Sequence, residues 1–236
     1  MKWVRTGWVL INIVAATFTM GTLTLVISIW DRRKRIQGWW NMAWSRWILW
    51  STGLPITVRG RENLVRGQQY IYIGNHSSAL DIPLVLAALP GSVTFLAKIE
   101  LFSIPYFGWI MRAMGCIPVN RSNLTEARKS VDRALEALRA KAISIILYPE
   151  GTRTLDGHLL PFKKGGFRLA LRSGLPVVPV AVQGAFQATP PGALSLTPTP
   201  IRVTIGLPIK TDHFTEKECD VLLKQTREQI QTLLDA

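Results

Sequence analysis

Gln69-Tyr-Ile-Tyr-Ile-Gly-Asn-His-Ser-Ser-Ala-Leu-Asp81 decides how this 236-residue chain is read. Its first half is short, rich in β-branched and aromatic residues, and stops at Gly74-Asn75, the pattern of a buried strand that gives way to a loop. The loop sets His76 five residues ahead of Asp81. An imidazole takes a proton from an alcohol near neutral pH when a carboxylate fixes its tautomer and steadies the imidazolium, so the pair reads as a base with its orienting acid. A second strand, Ala142-Ile-Ser-Ile-Ile-Leu-Tyr148, runs into Pro149-Glu-Gly-Thr-Arg153 in the same way. Polar clusters just past the ends of buried strands point to an open α/β sheet, where ligands bind beyond the strand ends.

Outward from these two stretches the alternation continues. Strands are expected at 56–59, 93–97, 116–119, 177–183 and 201–205, and helices at 81–89, 106–114, 163–172 and 215–234. A further helix is capped by Asn123, with Glu126 three residues on and Leu124, Val131, Leu135 and Leu138 at helical spacing up to about residue 140. The fold class is α/β: a mixed, mainly parallel sheet with covering helices.

The N-terminal segment is of another kind. Residues 8–30 are uncharged for 23 positions, enough to cross about 30 Å of hydrocarbon as a helix, although Asn12, Thr17, Thr19, Thr22, Thr24 and Ser28 moderate their apolarity. They lack a cleavage pattern and run directly into Asp31-Arg-Arg-Lys-Arg35. Trp39, Trp40, Trp44, Trp47 and Trp50, with Arg46 among them, then crowd a helix too short and too polar to span, which reads as interfacial or as packed on the domain. Gly53-Leu-Pro55 breaks the pair. The chain divides into a two-helix membrane-anchoring element, 1–52, and an α/β domain, 53–236.

A net charge of +13 calls for an acidic partner, nucleic acid or an anionic membrane. In the first 60 residues eight basic side chains face only Asp31, beside the most apolar and Trp-rich part of the chain, which selects anionic lipid over nucleic acid, with a solvated charged face as the other reading. Cys116 and Cys219 lie far apart and read as free thiols in a reducing compartment. No metal is expected: Cys-x-x-Cys and His-Glu-x-x-His are absent and there are three histidines. P-loop and Gly-x-Ser-x-Gly patterns are absent too.

The ordered motifs resemble the glycerolipid acyltransferases, most closely the lysophosphatidic acid acyltransferase branch. The resemblance rests on Asn75 to Asp81, Gly115-Cys-Ile-Pro-Val-Asn-Arg121, Tyr148-Pro-Glu-Gly-Thr-Arg153 and Val177-Val-Pro-Val180, and covers roughly residues 70–183. Tyr148 stands where that family often has Phe. The resemblance implies transfer of an acyl group from acyl-CoA or acyl-carrier protein, with no other cofactor, to a lysophospholipid acceptor at the cytoplasmic face of a membrane, the inner membrane in a bacterium. Its bacterial members carry a comparable two-helix element, which favours insertion into one leaflet over a single span.

Such a transfer needs a base, a grip on phosphate, and donors for an oxyanion. His76 is the expected base and Asp81 its orienting acid. Arg121 and Arg153 are assigned to the glycerophosphate, since a guanidinium holds phosphate with two parallel hydrogen bonds. Lys98 adds charge there, as the resemblance implies. Glu150 is expected to orient the arginines and Thr152, while Gly151 lets the backbone approach the ligand. Lys163 and Lys164 read as surface charges or as contacts to the donor's phosphates. Other readings stay open: a different lysolipid acceptor, a membrane-anchored esterase or thioesterase using Ser77 or Ser78, and a non-enzymatic membrane-binding protein.

Overall fold

The computed structural model describes residues 2–31, 34, 36–120, 124–193 and 195–236. Arg121, the Asn123 cap and three arginines of the basic cluster, Arg32, Arg33 and Arg35, lie outside the described residues. Two N-terminal helices, α1 (Lys2–Trp30) and α2 (Gln37–Thr52), precede strand β1 (Ile56–Arg59). The chain then runs β2 (Ile71–Gly74), α3 (Asp81–Ala88), β3 (Ser92–Lys98), α4 (Phe107–Ala113), β4 (Ile117–Val119), α5 (Leu124–Ala140) and β5 (Ile143–Leu147). It closes with α6 (Gly165–Ser173), β6 (Val177–Gln183), α7 (Ala185–Ala188), β7 (Ile201–Ile205) and α8 (Cys219–Asp235).

The seven strands form one sheet in the order β1-β7-β6-β2-β5-β3-β4. Every neighbouring pair is parallel except β6 with β7, so the β1–β7 pair runs against the other five strands. At the centre β2 pairs with β5 and β6, with Ile71 opposite Ile145 and Val177. Alternation along the strand assigns the faces. Tyr70 and Tyr72 join Leu84 and Val85 of α3, and Leu89 just past it, in one core, and Ile71 and Ile73 join Leu135 and Leu138 of α5 and Phe167 of α6 in the other. Each buried Leu, Ile or Phe contributes about 1.5–3 kcal/mol, and a one-residue slip of β2 would turn its whole set onto the wrong faces.

The N-terminal helices belong to the first of these cores, to which α1 supplies Val9 and α2 supplies Leu49. Three of the polar residues that weaken α1 as a membrane segment, Asn12, Thr17 and Thr24, point at α2, whereas Thr19 and Thr22 are exposed and return their hydroxyls to Ala15 O and Phe18 O. Trp47 Nε1 donates to Asn12 Oδ1 at 3.0 Å, and Trp44 Nε1 donates to Thr17 Oγ1 at 3.2 Å. The opposite side of α1 exposes Trp3, Leu10, Ile11, Val14, Phe18 and Ile29, and Trp3–Trp30 is long and apolar enough to cross a membrane. Two points along α1 also touch the α/β domain. Thr6 Oγ1 accepts from Leu196 N near its start, and Tyr106 Oη, just ahead of α4, donates to Phe18 O further along.

Two residues of the segment after α1, Asp31 and Lys34, have structural roles. Asp31 Oδ2 accepts from Ile36 N and Gln37 N, both at 2.8 Å, and so caps α2. Lys34 is buried with its Nζ on Ala113 O at 2.5 Å, and burial first, then the neighbouring Lys141, holds its ammonium below the ordinary lysine range. At the other end α8 starts at Cys219 rather than near Thr215, because a capping box between Thr215 and Glu218 closes a short 3-10 turn first. Cys116 and Cys219 are buried free thiols, and burial pushes that of Cys116 up to about 12.

Candidate active site

Where β2 ends, a side chain continues its pairing. Asn75 Nδ2 donates to Val182 O at 3.0 Å and its Oδ1 accepts from Val182 N at 2.8 Å, so the amide takes the place of a peptide unit in the ladder with β6. The main chain is thereby free to leave the sheet and present His76. It turns back on itself to start α3, which carries Asp81 as its first residue.

Asp81 has no exposed surface, and its Oδ2 accepts from His76 Nδ1 at 2.8 Å, Ser77 N at 2.7 Å and Ser78 N at 2.9 Å. With Nδ1 holding the proton toward Asp81, Nε2 is the basic nitrogen of the ring. The His76 side chain keeps 20% of its surface exposed, enough for a ligand to reach it. Tyr148 packs on the imidazole with ring centroids 4.3 Å apart and planes 21° from parallel. Its hydroxyl is buried without a hydrogen-bond partner, and burial together with the charge of Asp81 drives its ionisation well above the ordinary tyrosine range.

The second motif is stitched to the first through the main chain. Glu150 Oε1 accepts from His76 N at 2.7 Å, its Oε2 accepts from Leu160 N at 2.9 Å, and Thr154 N donates to His76 O at 3.0 Å. Among the described residues Glu150 bonds to main-chain N–H groups rather than to Arg153 or Thr152, and Arg121 lies outside the described residues. The carboxylate instead joins the loops after β2 and β5, a pairing with no sequence signature because its partners are backbone N–H groups. Burial raises Glu150 above the ordinary carboxylate range and outweighs the two donors, which act the other way. Gly151 has a φ of +79°, and a Cβ there would come within 2.7 Å of Lys163 Nζ.

That proximity separates two lysines that look alike in the sequence. Lys164 forms a surface ion pair with Asp220 at 2.8 Å, whereas Lys163 lies over the Glu150-Gly151 turn. Thr152 and Arg153 are exposed on the same turn. Lys98 sits at the end of β3 with Glu100 at 3.2 Å and lines the cavity into which His76 opens. This cavity of about 400 Å³ is walled by Met20 and Gly21 of α1, Trp44 of α2, Phe95 of β3, and Ile110 and Met111 of α4. It is an apolar chamber with one imidazole at its wall and Lys98 among its few polar groups. No cluster of three or more His, Cys, Asp or Glu suited to a metal ion occurs among the described residues.

The sequence and the fold also match known proteins. The family model described as "Acyltransferase" matches residues 55–183. A 1-acyl-sn-glycerol-3-phosphate acyltransferase from Cocos nucifera is 33% identical over 216 residues, covering 91% of this chain and 70% of that protein. One from Limnanthes douglasii is 37% identical over 177 residues, covering 75% of this chain and 62% of that protein, so this chain spans about two thirds of these plant proteins. The crystal structure of the 1-acyl-sn-glycerophosphate acyltransferase PlsC from Thermotoga maritima superposes with a TM-score of 0.83 at 26% identity, covering 99% of this chain and 95% of that one.

Proposed function

This chain belongs to the acyltransferase family, and on that premise we propose that it moves a fatty acyl group from acyl-CoA or acyl-carrier protein to the sn-2 hydroxyl of lysophosphatidic acid, giving phosphatidic acid. The observation that carries this reading is a His76–Asp81 pair opening onto an apolar chamber beside cationic side chains. His76 Nε2 takes the proton of the acceptor hydroxyl as its oxygen attacks the thioester carbon. Asp81 stabilises the imidazolium, and the tetrahedral intermediate expels the thiolate, which recovers that proton. Arg153, Lys98 and Lys163 supply charge for the acceptor's phosphate, with Arg121 assigned there by the motif it occupies. The chamber takes a fatty chain, whose burial offsets its removal from the bilayer at about 0.8 kcal/mol per CH₂.

The hydrolase reading finds less support. Ser77 Oγ is buried without a partner and Ser78 Oγ donates to Thr189 O at 2.9 Å, so neither serine is paired with His76 as a nucleophile would be.

We assign α1 and α2 to one leaflet, with the domain on the cytoplasmic face. A helix whose start and middle are both tied to the domain lies along it, with its exposed side toward lipid. Two tryptophans of α2 pair with Asn12 and Thr17 of α1, the kind of contact an apolar medium favours between helices. Single cysteines at residues 5 and 33 should be labelled from the same side, and opposite-side labelling would establish a span.

The decisive test of function supplies the full chain, in vesicles, with a panel of lysolipids and both donor types. Diacyl product is expected from lysophosphatidic acid. Product only from a phosphate-free lysolipid would reject the headgroup assignment, and thioester cleavage without an acceptor would select the hydrolase.

A further inference from the structure

On the other side of the catalytic loop from the apolar chamber lies a second cavity of about 340 Å³, within the range of small-ligand sites. The two cavities meet the loop at consecutive residues: His76 lines the first, and Asn75 and Ser77 line the second. The second is built from the end of β6, the short α7, the loop at Gly157 and the end of α8. Its polar wall carries the neutral side chains of Asn75, Ser77, Gln183, Gln187 and Gln231, with Leu159, Val182, Phe186 and Leu234 as the apolar part.

Two of its polar atoms are buried with no partner. Ser77 is 3% exposed and its Oγ has neither donor nor acceptor, and Gln183 Oε1 is unpaired although its Nε2 donates to Leu234 O at 2.6 Å. A buried polar atom left unpaired costs about 1–3 kcal/mol, so the pair marks where a ligand is received. A secondary amide carries the complement, an N–H for Gln183 Oε1 and a C=O for the Ser77 hydroxyl.

Charge and polarity narrow the ligand. Among the described residues lining the cavity there is no lysine or arginine, and His158 is matched by Asp235, so the lining offers no cationic grip for the acceptor's phosphate. The amides disfavour an acyl chain. One cation stands at the edge, where Arg227 Nη2 donates to Leu159 O at 3.3 Å.

We infer that this cavity receives the pantetheine arm of the acyl donor, the neutral diamide segment common to acyl-CoA and acyl-carrier protein, with its terminal phosphate toward Arg227. The inference rests on the acyl-transfer reading above and extends it. The arm enters on the Asn75–Ser77 side, the fatty chain lies on the His76 side, and the thioester sits between them at the base.

The test measures binding of S-dodecyl pantetheine, a thioether that cannot react, and of a dodecyl thioether without the arm, to the full chain in detergent micelles. The arm-bearing ligand should bind at least about tenfold more tightly, the yield of two or so neutral hydrogen bonds. Gln187→Trp, which fills the cavity, should abolish that difference while leaving the armless ligand bound as before. Gln183→Met, which keeps the shape and removes the acceptor, should reduce it about threefold or more. Equal binding of the two ligands to the native chain, or an undiminished difference in Gln187→Trp, would overturn the inference. Phosphatidic acid formation is scored separately on the native chain: arm-dependent binding without that product would retire the acceptor assignment and leave the cavity's ligand in place.

Discussion

Asp81→Asn separates two ways in which a buried carboxylate can serve an imidazole. If the carboxylate only selects a tautomer, an amide placed there can turn its NH₂ toward Nδ1, and the wrong tautomer costs about 10⁴-fold in turnover. Here the oxygen that meets Nδ1 also accepts from Ser77 N and Ser78 N. An NH₂ in that position would oppose two buried N–H donors, so the substituted amide must keep its oxygen there and Nδ1 stays protonated. What is lost is the charge. A charge-assisted hydrogen bond contributes about 1.5–3 kcal/mol and a neutral one about 0.5–1.5, a difference of roughly 1–2 kcal/mol, so turnover should fall about 5- to 30-fold. The amide NH₂ takes the place of Oδ1, which is buried without a partner, and should lower stability by about 1–3 kcal/mol. The assay is phosphatidic acid formation at saturating donor and acceptor, corrected for folded fraction by thermal unfolding. A 10⁴-fold loss in folded protein would show that the two backbone amides do not hold the oxygen, and unchanged turnover would remove Asp81 from the mechanism.

Arg153→Ala should raise KM for lysophosphatidic acid about tenfold or more and leave KM for the thioester within about twofold, because only the acceptor's phosphate meets the guanidinium; the reverse pattern would exchange the two sites. Glu150→Gln should destabilise by about 1–3 kcal/mol, since an amide offers one acceptor to the two N–H groups now held, and chemical denaturation reads this directly. Burial raises the folded-state pKa of Glu150, so the folded protein holds that proton more tightly than the unfolded chain; its contribution to stability is fullest in acid and declines as pH rises from the ordinary carboxylate range through the raised value. Melting curves across that interval should show the decline in the native chain and not in Glu150→Gln. Tyr148→Phe should keep the ring on His76 while removing a buried hydroxyl with no partner, raising stability by about 1 kcal/mol with turnover within about threefold; a large loss of turnover would give the hydroxyl a catalytic role.

The seven strands and the main helices are legible in the sequence because each carries its own pattern: a short β-branched and aromatic run, buried on both faces, in β2, and three- and four-residue spacing in α5. The His76–Asp81 pair is legible because a strand end precedes it. Other features are not. The side of α1 that Asn12, Thr17 and Thr24 occupy emerges only when α2 packs there, which leaves Thr19 and Thr22 as polar exceptions on an exposed side that is otherwise largely apolar. The task of Glu150 depends on backbone donors, which every residue but proline possesses and which therefore leave no trace in residue types. The division of labour between Lys163 and Lys164 is set by α8, far away in the chain, whose Asp220 takes one of the two. The short α7 carries no capping or periodic signal, yet it helps build the second cavity.

Loops at the ends of strands are usually the parts of an α/β protein that breathe most, and the one carrying His76 is built against that tendency. Its three successive amide N–H groups, of residues 76, 77 and 78, end on two buried carboxylates. Exchange of these amides with solvent deuterium should therefore follow opening of the sheet rather than motion of the loop. The same fixed pattern means that these N–H groups are already spoken for and cannot be lent to a developing oxyanion. The base meets each substrate in the posture it held before, without a closing step to wait for, and the adaptable parts of the reaction are left to the ligands that arrive on either side of it.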